Sequence, residues 1–187
     1  MKKLAIVIAL ALEFAVCACG TSPNTNPVNN TTTSGNWEAK LTGGTEQASL
    51  LNFVVAFSVE NNGPLNITGF GFFNQGACFA TGVNAETESG SASFTTGSTG
   101  AVTGTLSLTI KSATNSSALA LTGQLTGTSN ATTTTTGTLS TGVVVGTWTL
   151  TPGANIPGCN QDSGSFVMCQ GAATCSTIPA IARRTDF

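Results

Sequence analysis

Alternation of apolar and polar residues is the feature of this chain that most constrains its fold. Between Val102 and Lys111 the apolar side chains fall on every second residue, with Thr or Ser between them. That spacing is typical of a β-strand with one buried face and one wet face, and it does not fit a helix. The same alternation returns in further segments: Trp37 to Leu41, Phe53 to Val59, Leu65 to Ile67, Leu119 to Leu125 and Val144 to Leu150. Turn-forming clusters separate these segments, so the sequence predicts an all-β domain of about eight to ten antiparallel strands with sequence neighbours paired.

Glycine recurs two residues before a large apolar residue, as in Gly35-Asn36-Trp37, Gly104-Thr105-Leu106 and Gly146-Thr147-Trp148. Glycine inside a strand is tolerated at bends and where another backbone comes close. These triplets therefore favour coiled strands that close into a small up-and-down barrel, lipocalin-like or avidin-like in general shape. Closure also removes sheet edges that few charges protect. Strand starts in a chain rich in Thr and Gly also give such triplets by chance, and a β-sandwich is the alternative fold.

Charged residues are scarce, since Asp, Glu, Lys and Arg make up 7% of the 187 residues, whereas about 25% is usual. Thr, Ser, Asn and Gly together supply 87 residues, so hydroxyl and amide groups, rather than charged groups, must make most of the surface's hydrogen bonds with water. The chain has no His, which excludes His-based triads and His metal sites. A net charge of −2 with dispersed basic residues offers no footprint for nucleic acid. We expect no nucleic-acid partner and no cofactor.

The N-terminus has the pattern of a bacterial export signal over residues 1–18. Met1-Lys2-Lys3 supplies a positive start, and an apolar run follows from Leu4 to Leu12. That run is too short to cross a bilayer, and Glu13 interrupts it. The segment therefore predicts a signal peptide rather than a transmembrane helix.

The residues after this run, Val16-Cys17-Ala18-Cys19-Gly20, resemble a lipobox, in which a Cys is diacylated and becomes the first mature residue. Cys19 is the better acceptor because a small Ala precedes it, whereas the bulkier Val16 precedes Cys17. Gly20 is not the Asp that retains lipoproteins at the inner membrane in enteric bacteria. We therefore expect an exported protein that is lipid-anchored at Cys19, in the outer membrane. An ordinary secretory signal with two incidental cysteines is the alternative.

Composition divides the mature chain into a tether, a body and a tail. Residues 19–34 contain one large apolar residue, Val28, among Asn, Thr and Pro, and are expected to form a disordered tether. The β domain then spans residues 35–170, and residues 171–187 form a loosely attached C-terminal tail. A final Phe also ends many outer-membrane barrels, but with no Tyr and two Trp this chain cannot build an aromatic girdle. We therefore do not expect an integral membrane barrel.

Four cysteines remain beyond the signal: Cys78, Cys159, Cys169 and Cys175. An even number in an exported chain predicts a disulfide framework, and these four allow three connectivities. Sequence arithmetic alone does not choose among the three. Their spacing lacks the CxxC pairs typical of a metal site, so we expect no metal.

Short motifs in the second half of the chain resemble those of a group of uncharacterised acidobacterial lipoproteins. The pattern of that group runs LTGTL, then TGTY or TGTW, then GxC, then DSGTF. This chain has, at those places, Leu121 to Leu125, Gly146 to Trp148, Gly158-Cys159 and Asp162 to Phe166. The lipobox, the low-complexity tether and Cys78 fit the group more loosely. The resemblance implies a disulfide between Cys78 and Cys159, which leaves Cys169 and Cys175 to each other, and it implies no known activity.

A non-catalytic module of the cell envelope is the function that this organisation favours. Such a lipid-anchored β domain would display, bind or support structure, with the membrane and an envelope polymer as its partners. A carrier of a small hydrophobic ligand is the alternative, because Gly-x-Trp near the first strand also occurs in lipocalin-like and avidin-like barrels that hold one ligand. The side chains that would line its cavity are Trp37, Phe53, Phe57, Leu106 and Trp148.

A carboxylate-dependent glycan hydrolase is a second alternative, because a glycosidase needs two carboxylates that face one cleft. Glu86 and Glu88 share one side of any extended segment. The Asn, Ser and Gly residues around them nevertheless predict a solvated turn. We therefore assign no catalytic residue and expect no enzyme activity.

Overall fold

The computed structural model describes residues 31–44, 51–59, 63–79, 82, 84–129 and 137–170 of the 187-residue chain. Eight antiparallel strands form one nearly closed, barrel-shaped sheet, which confirms the predicted fold class. The strands are β1 (Thr31–Thr42), β2 (Asn52–Val59), β3 (Leu65–Asn74), β4 (Glu86–Thr96), β5 (Ala101–Ser112), β6 (Ala118–Ser129), β7 (Gly137–Thr151) and β8 (Asp162–Gln170). In this described part of the chain, no helix has the length and apolar character needed to cross a membrane.

Sequence neighbours pair along the sheet, whose strand order is β3-β2-β1-β8-β7-β6-β5-β4. The antiparallel β1–β8 ladder joins the beginning of the domain to its end. Strands β3 and β4 stand at the two ends of this order. Among the described residues they pair only at a bridge between Pro64 and Ser91, beside which the Ala92 N–H donates to Gly63 O at 2.9 Å. The barrel wall is therefore continuous except between β3 and β4.

Strand β1 begins at Thr31, inside the segment 19–34 that the sequence predicts to be a disordered tether. The reason is pairing on two sides, because Thr33 lies opposite Val59 of β2 and the backbone at Thr31 and Thr32 runs parallel to the start of β7. Threonine suits an extended backbone, so the ladder continues four residues beyond the predicted domain limit. The predicted signal peptide (1–18), the first part of the tether and the tail (171–187) lie outside the described residues.

The predicted alternation separates the inner from the outer face of the wall. On β2, every second residue from Phe53 to Val59 is buried. On β5, Leu106, Leu108 and Ile110 point inward, while the hydroxyl residues between them lie on the outer face. The inward residues of the strands, including both tryptophans, form one continuous apolar core.

Glycines make room for the largest rings of this core. Phe94 lies opposite Gly104, Trp148 opposite Gly164 and Phe166 opposite Gly146. A methyl group added at Gly123 of β6 would lie 2.7 Å from the Val145 carbonyl oxygen and 2.8 Å from the Phe166 ring. Carbon atoms need roughly 3.5–4.0 Å, so a larger side chain would displace the ring or the backbone. Glycine in these strands therefore marks close packing.

A disulfide between Cys78 and Cys159 cross-links one end of the barrel, and this is the pairing that the family resemblance implies. The two cysteines lie in the β3–β4 and β7–β8 loops. Residues of the β5–β6 loop contact both: Asn115 Nδ2 donates to Cys78 O at 2.9 Å, and Ser117 Oγ lies 3.6 Å from Cys159 Sγ. Because the bridge spans 81 residues of sequence, loop-closure entropy gives it a stabilising effect of about 4.5 kcal/mol.

Gly123→Ala should destabilise the barrel by about 1–3 kcal/mol, because the added methyl group overpacks the core against Phe166 and the β7 backbone. Gly71→Ala is the matched control, since it is the same change within a strand and nothing lies within 4 Å of the added carbon. Urea unfolding followed by tryptophan fluorescence measures both free energies. Equal effects of the two substitutions would contradict the close-packing interpretation.

Candidate functional site

The five residues predicted to line a ligand cavity all lie in the core: Trp37, Phe53, Phe57, Leu106 and Trp148. None of them is more than 2% exposed. A side chain that bordered a cavity large enough for water would keep accessible surface toward that cavity. The interior around these residues is therefore filled by protein, and in this structure all five belong to the packed core.

The two tryptophans illustrate how this interior is filled. The Trp37 ring stacks on Phe57 with 5.5 Å between the ring centroids and 10° between the planes. Trp148 Nε1 donates to the Thr42 carbonyl oxygen at 3.1 Å. Both indoles are thus held by partners from other strands, so neither ring is placed to contact a ligand without repacking.

An opening in the barrel wall between β3 and β4, which we call the seam, is the candidate site. Its borders are Leu65, Ile67 and Phe70 on β3 and Glu86, Glu88 and Gly90 on β4. All six are partly exposed although they belong to the inward faces of their strands. By contrast, the inward residues of the neighbouring strand β2 are fully buried. The wall therefore admits solvent at the seam.

The structure corrects the predicted setting of Glu86 and Glu88, which lie in strand β4 and not in a solvated turn. They occupy the same face as Ala92 and Phe94, which are buried, and so they face inward at the edge of the seam. Extending the period of two backwards from Phe94 would have found this placement. The polar composition of the segment outweighs that signal in a sequence analysis.

Both carboxylates are perturbed by this position. Burial raises the pKa of Glu86 above its ordinary value, and the nearby negative charge of Glu88 raises it further. Burial also raises the pKa of Glu88, although a hydrogen bond from its own backbone N–H to the carboxylate opposes that shift. The position of both carboxylates therefore disfavours their charged form relative to a carboxylate in water.

Aromatic side chains pack against one another on the β3 side of the barrel. Phe70 and Phe72 meet edge to face with 5.0 Å between their centroids, and Phe72 lies 4.8 Å from Phe79. Phe53 of β2 contacts both Phe70 and Phe72. Phe70 and Phe72 are partly exposed, so this cluster gives the seam an apolar border.

The outer surface carries a continuous row of hydroxyls that we call the hydroxyl belt. It contains one residue from each of six neighbouring strands, and each residue is directly paired with the next. In the strand order β4, β5, β6, β7, β8 and β1 these residues are Ser91, Ser107, Thr122, Thr147, Ser165 and Thr42. All are exposed, and the Thr42 and Ser165 hydroxyls lie 3.0 Å apart. The belt is an uncharged, hydrogen-bonding surface, as the scarcity of charged residues predicts.

A groove of about 450 Å³ lies on the outer face of β4 and β5, next to Gly63. Five of its eight lining residues carry hydroxyls: Ser91, Ser93, Thr105, Ser107 and Thr122. The lining has no charged or aromatic side chain, and most of its exposed surface is apolar.

The remaining predicted site residues fall partly outside the described ranges. Cys169 is disulfide-bonded, whereas Cys175, its expected partner, and Cys19, the predicted lipid-attachment residue, lie outside the described residues. In the described ranges no three His, Cys, Asp or Glu side chains come together as metal ligands would. Comparisons with known protein families, curated proteins and solved structures found no match.

Replacing both seam carboxylates, Glu86→Gln with Glu88→Gln, should raise the free energy of unfolding at pH 7. Because both pKa values are raised in the folded state, the folded protein loses stability as pH rises from about 4 through those values. The gain of the variant should therefore shrink toward zero near pH 3.5. Urea unfolding at the two pH values measures it, with Glu38→Gln on the outer face of β1 as control. A double variant that is less stable at pH 7 would show that the carboxylates have a stabilising partner.

Proposed function

We propose that this protein is a lipid-anchored, non-catalytic module of the cell envelope that displays or binds through its outside. The observation that carries the proposal is the filled interior, where the central side chains are no more than 2% exposed. Because these residues enclose no cavity, a ligand or partner would bind at the barrel wall, either at the seam or on the hydroxyl belt.

Support for the anchor comes from the N-terminal sequence. The lipobox places Cys19 a short distance before Thr31, where β1 begins. Two acyl chains exceed the threshold for stable membrane attachment, since each buried methylene contributes about 0.8 kcal/mol. The motifs shared with uncharacterised acidobacterial lipoproteins imply the same attachment, and we propose an outer-membrane location on the same grounds.

The hydroxyl belt supports an envelope polymer as a partner. Ser and Thr hydroxyls both donate and accept hydrogen bonds, as do the hydroxyls of polysaccharides. The belt extends over six strands without a charged side chain among its members. It can therefore contact a neutral polymer without charge selection.

A carrier of a small hydrophobic ligand is the alternative. Five residues would have to line its cavity, and all five are closely packed. A ligand would need to displace core rings such as Trp37 from Phe57. Protein interiors of this density resist that change, so we favour binding at the wall.

A glycan hydrolase is the other alternative, and Glu86 and Glu88 are the specific observation behind it. Residues two apart on one strand stand about 7 Å apart, and inverting glycosidases separate their carboxyl groups by about 6.5–9.5 Å. Raised pKa values also suit a general acid. In these two residues, however, burial is the main cause that raises each pKa, with repulsion from Glu88 as a further cause for Glu86, and both pKa values are shifted in the same direction, whereas an acid and a base need shifts that separate them.

Cys19→Ser should move the protein from the membrane fraction to the soluble fraction, because the thiol that carries the acyl chains is lost. Alkaline extraction of membranes followed by immunoblotting measures the distribution. Cys17→Ser is the matched control and should leave the protein in the membrane. Retention of the Cys19→Ser variant in the membrane would contradict the assignment of the anchor to Cys19.

The wild-type protein should hydrolyse no substrate in a panel of polysaccharides and peptidoglycan. Glu86→Gln with Glu88→Gln is the companion variant, measured by release of reducing ends. Hydrolysis by the wild type that this double variant loses would contradict the non-catalytic proposal, because it would make the seam a working acid pair.

A further inference from the structure

The β4 side of the seam has backbone groups that no neighbouring strand uses. The Ala92 N–H points across the seam to Gly63 O. Backbone groups alternate in direction along a strand, so Glu88 and Glu86 point theirs the same way. Among the described residues, neither pairs with β3, because the only bridge lies at Pro64 and Ser91. The Glu88 carboxylate instead accepts a hydrogen bond from its own N–H, in the place of a missing strand.

The β3 side of the seam offers apolar surface. Leu65, Ile67, Phe70 and Phe72 pack against the core while keeping part of their surface exposed. Side chains of an extended chain alternate between two faces. A strand added beside β4 would therefore direct every second side chain toward this apolar surface.

Among the described residues, no positively charged side chain pairs with the carboxylates at the same edge. Causes of their pKa shifts are burial, the neighbouring carboxylate and a backbone N–H, with no cation among them. Lys40 and Lys111, the basic residues in the described part of the chain, are on outward faces of β1 and β5. A Lys or Arg side chain from a bound segment would lie close to both carboxylates and would offset part of their negative charge in this partly buried setting.

We propose that the seam binds an extended segment of a partner polypeptide, which adds to the edge of β4 as a further strand and places a Lys or Arg against Glu86 and Glu88. The inference rests on the proposed function as a binding module and names the ligand class. Strand addition gains affinity from main-chain hydrogen bonds and specificity from alternate side chains.

Selection of peptides from a random library displayed on phage tests the proposal, with the full-length lipidated protein in detergent micelles as the target. Enriched peptides should carry their apolar residues and a Lys or Arg on the same alternating set of positions, because the apolar surface and both carboxylates lie on the inward side of the seam. Synthetic copies should bind the wild type about tenfold more tightly than the Glu86→Gln, Glu88→Gln variant, because a charge-assisted contact is lost. Glu38→Gln, which removes a carboxylate from the outer face of β1, should bind them as the wild type does.

Backbone methylation of a selected peptide separates strand addition from simple charge attraction. Methyl groups on one alternating set of peptide amides should abolish binding, and methyl groups on the other set should leave it intact, since only one set faces β4. Tolerance of both sets would overturn the proposal, as would equal affinity for the double Gln variant. Failure to enrich any peptide would also overturn it. The two carboxylates would then be explained as charges that prevent other strands from pairing with an exposed edge.

Two other occupants give distinct results. Peptide binding that appears only after Arg183→Gln with Arg184→Gln would overturn the proposal in favour of the protein's own tail. A homodimer that the double Gln variant loses, measured by native mass spectrometry, would overturn it in favour of a second copy. Peptides should bind the Cys19→Ser protein in solution as they bind the wild type, so failure of peptide binding is distinguishable from failure of the anchor.

Discussion

Contact between aromatic rings and glycines on the facing strand is the interaction on which the rest of this barrel depends. An eight-stranded barrel has an interior just wide enough for side chains to fill. Phe94, Trp148 and Phe166 each fit because a glycine stands opposite. The face of each ring then packs against the backbone of the glycine, where any other residue would place a side chain. Close filling of the interior around these rings is the result.

That regular packing ends at β3, and the seam follows from it. The β2–β3 register shifts twice, between Asn52 and Phe53 and between Ala56 and Phe57. Thr68, which is left out of the register at one shift, donates its hydroxyl to Ala56 O at 3.3 Å. Bulges bend a strand and increase its twist, and among the described residues β3 keeps no ladder with β4 beyond the Pro64–Ser91 bridge. Glu86 and Glu88 then stand at the edge that β3 does not cover.

The sequence predicts the strands well where one face is buried along the whole strand, as in β2 and β5, because the period of two is then visible in every residue. It predicts the inward position of the central rings for the same reason, but not whether they enclose space. Whether the rings enclose space depends on the glycines of the facing strands. Which glycine lies opposite which ring is known only once the register of the strands is known. Glu86 and Glu88 escape prediction because the inward face of β4 is polar where it borders the seam. The two register shifts of the β2–β3 ladder, which precede the seam in the sheet, are not predicted by any residue type in β3.

The positions of the strand ends determine where the seam would lie relative to the proposed membrane anchor. Strand β1 begins and β8 ends at the same end of the barrel, since the two are antiparallel neighbours. Cys78 and Cys159 lie at the other end, in loops that follow β3 and precede β8. Glu86 begins β4 at that disulfide end. An anchor at Cys19 would hold the first end toward the membrane, so the carboxylates of the seam would face away from it. The disulfide then holds the β3–β4 loop next to the seam, at the part of the barrel that a partner would reach first.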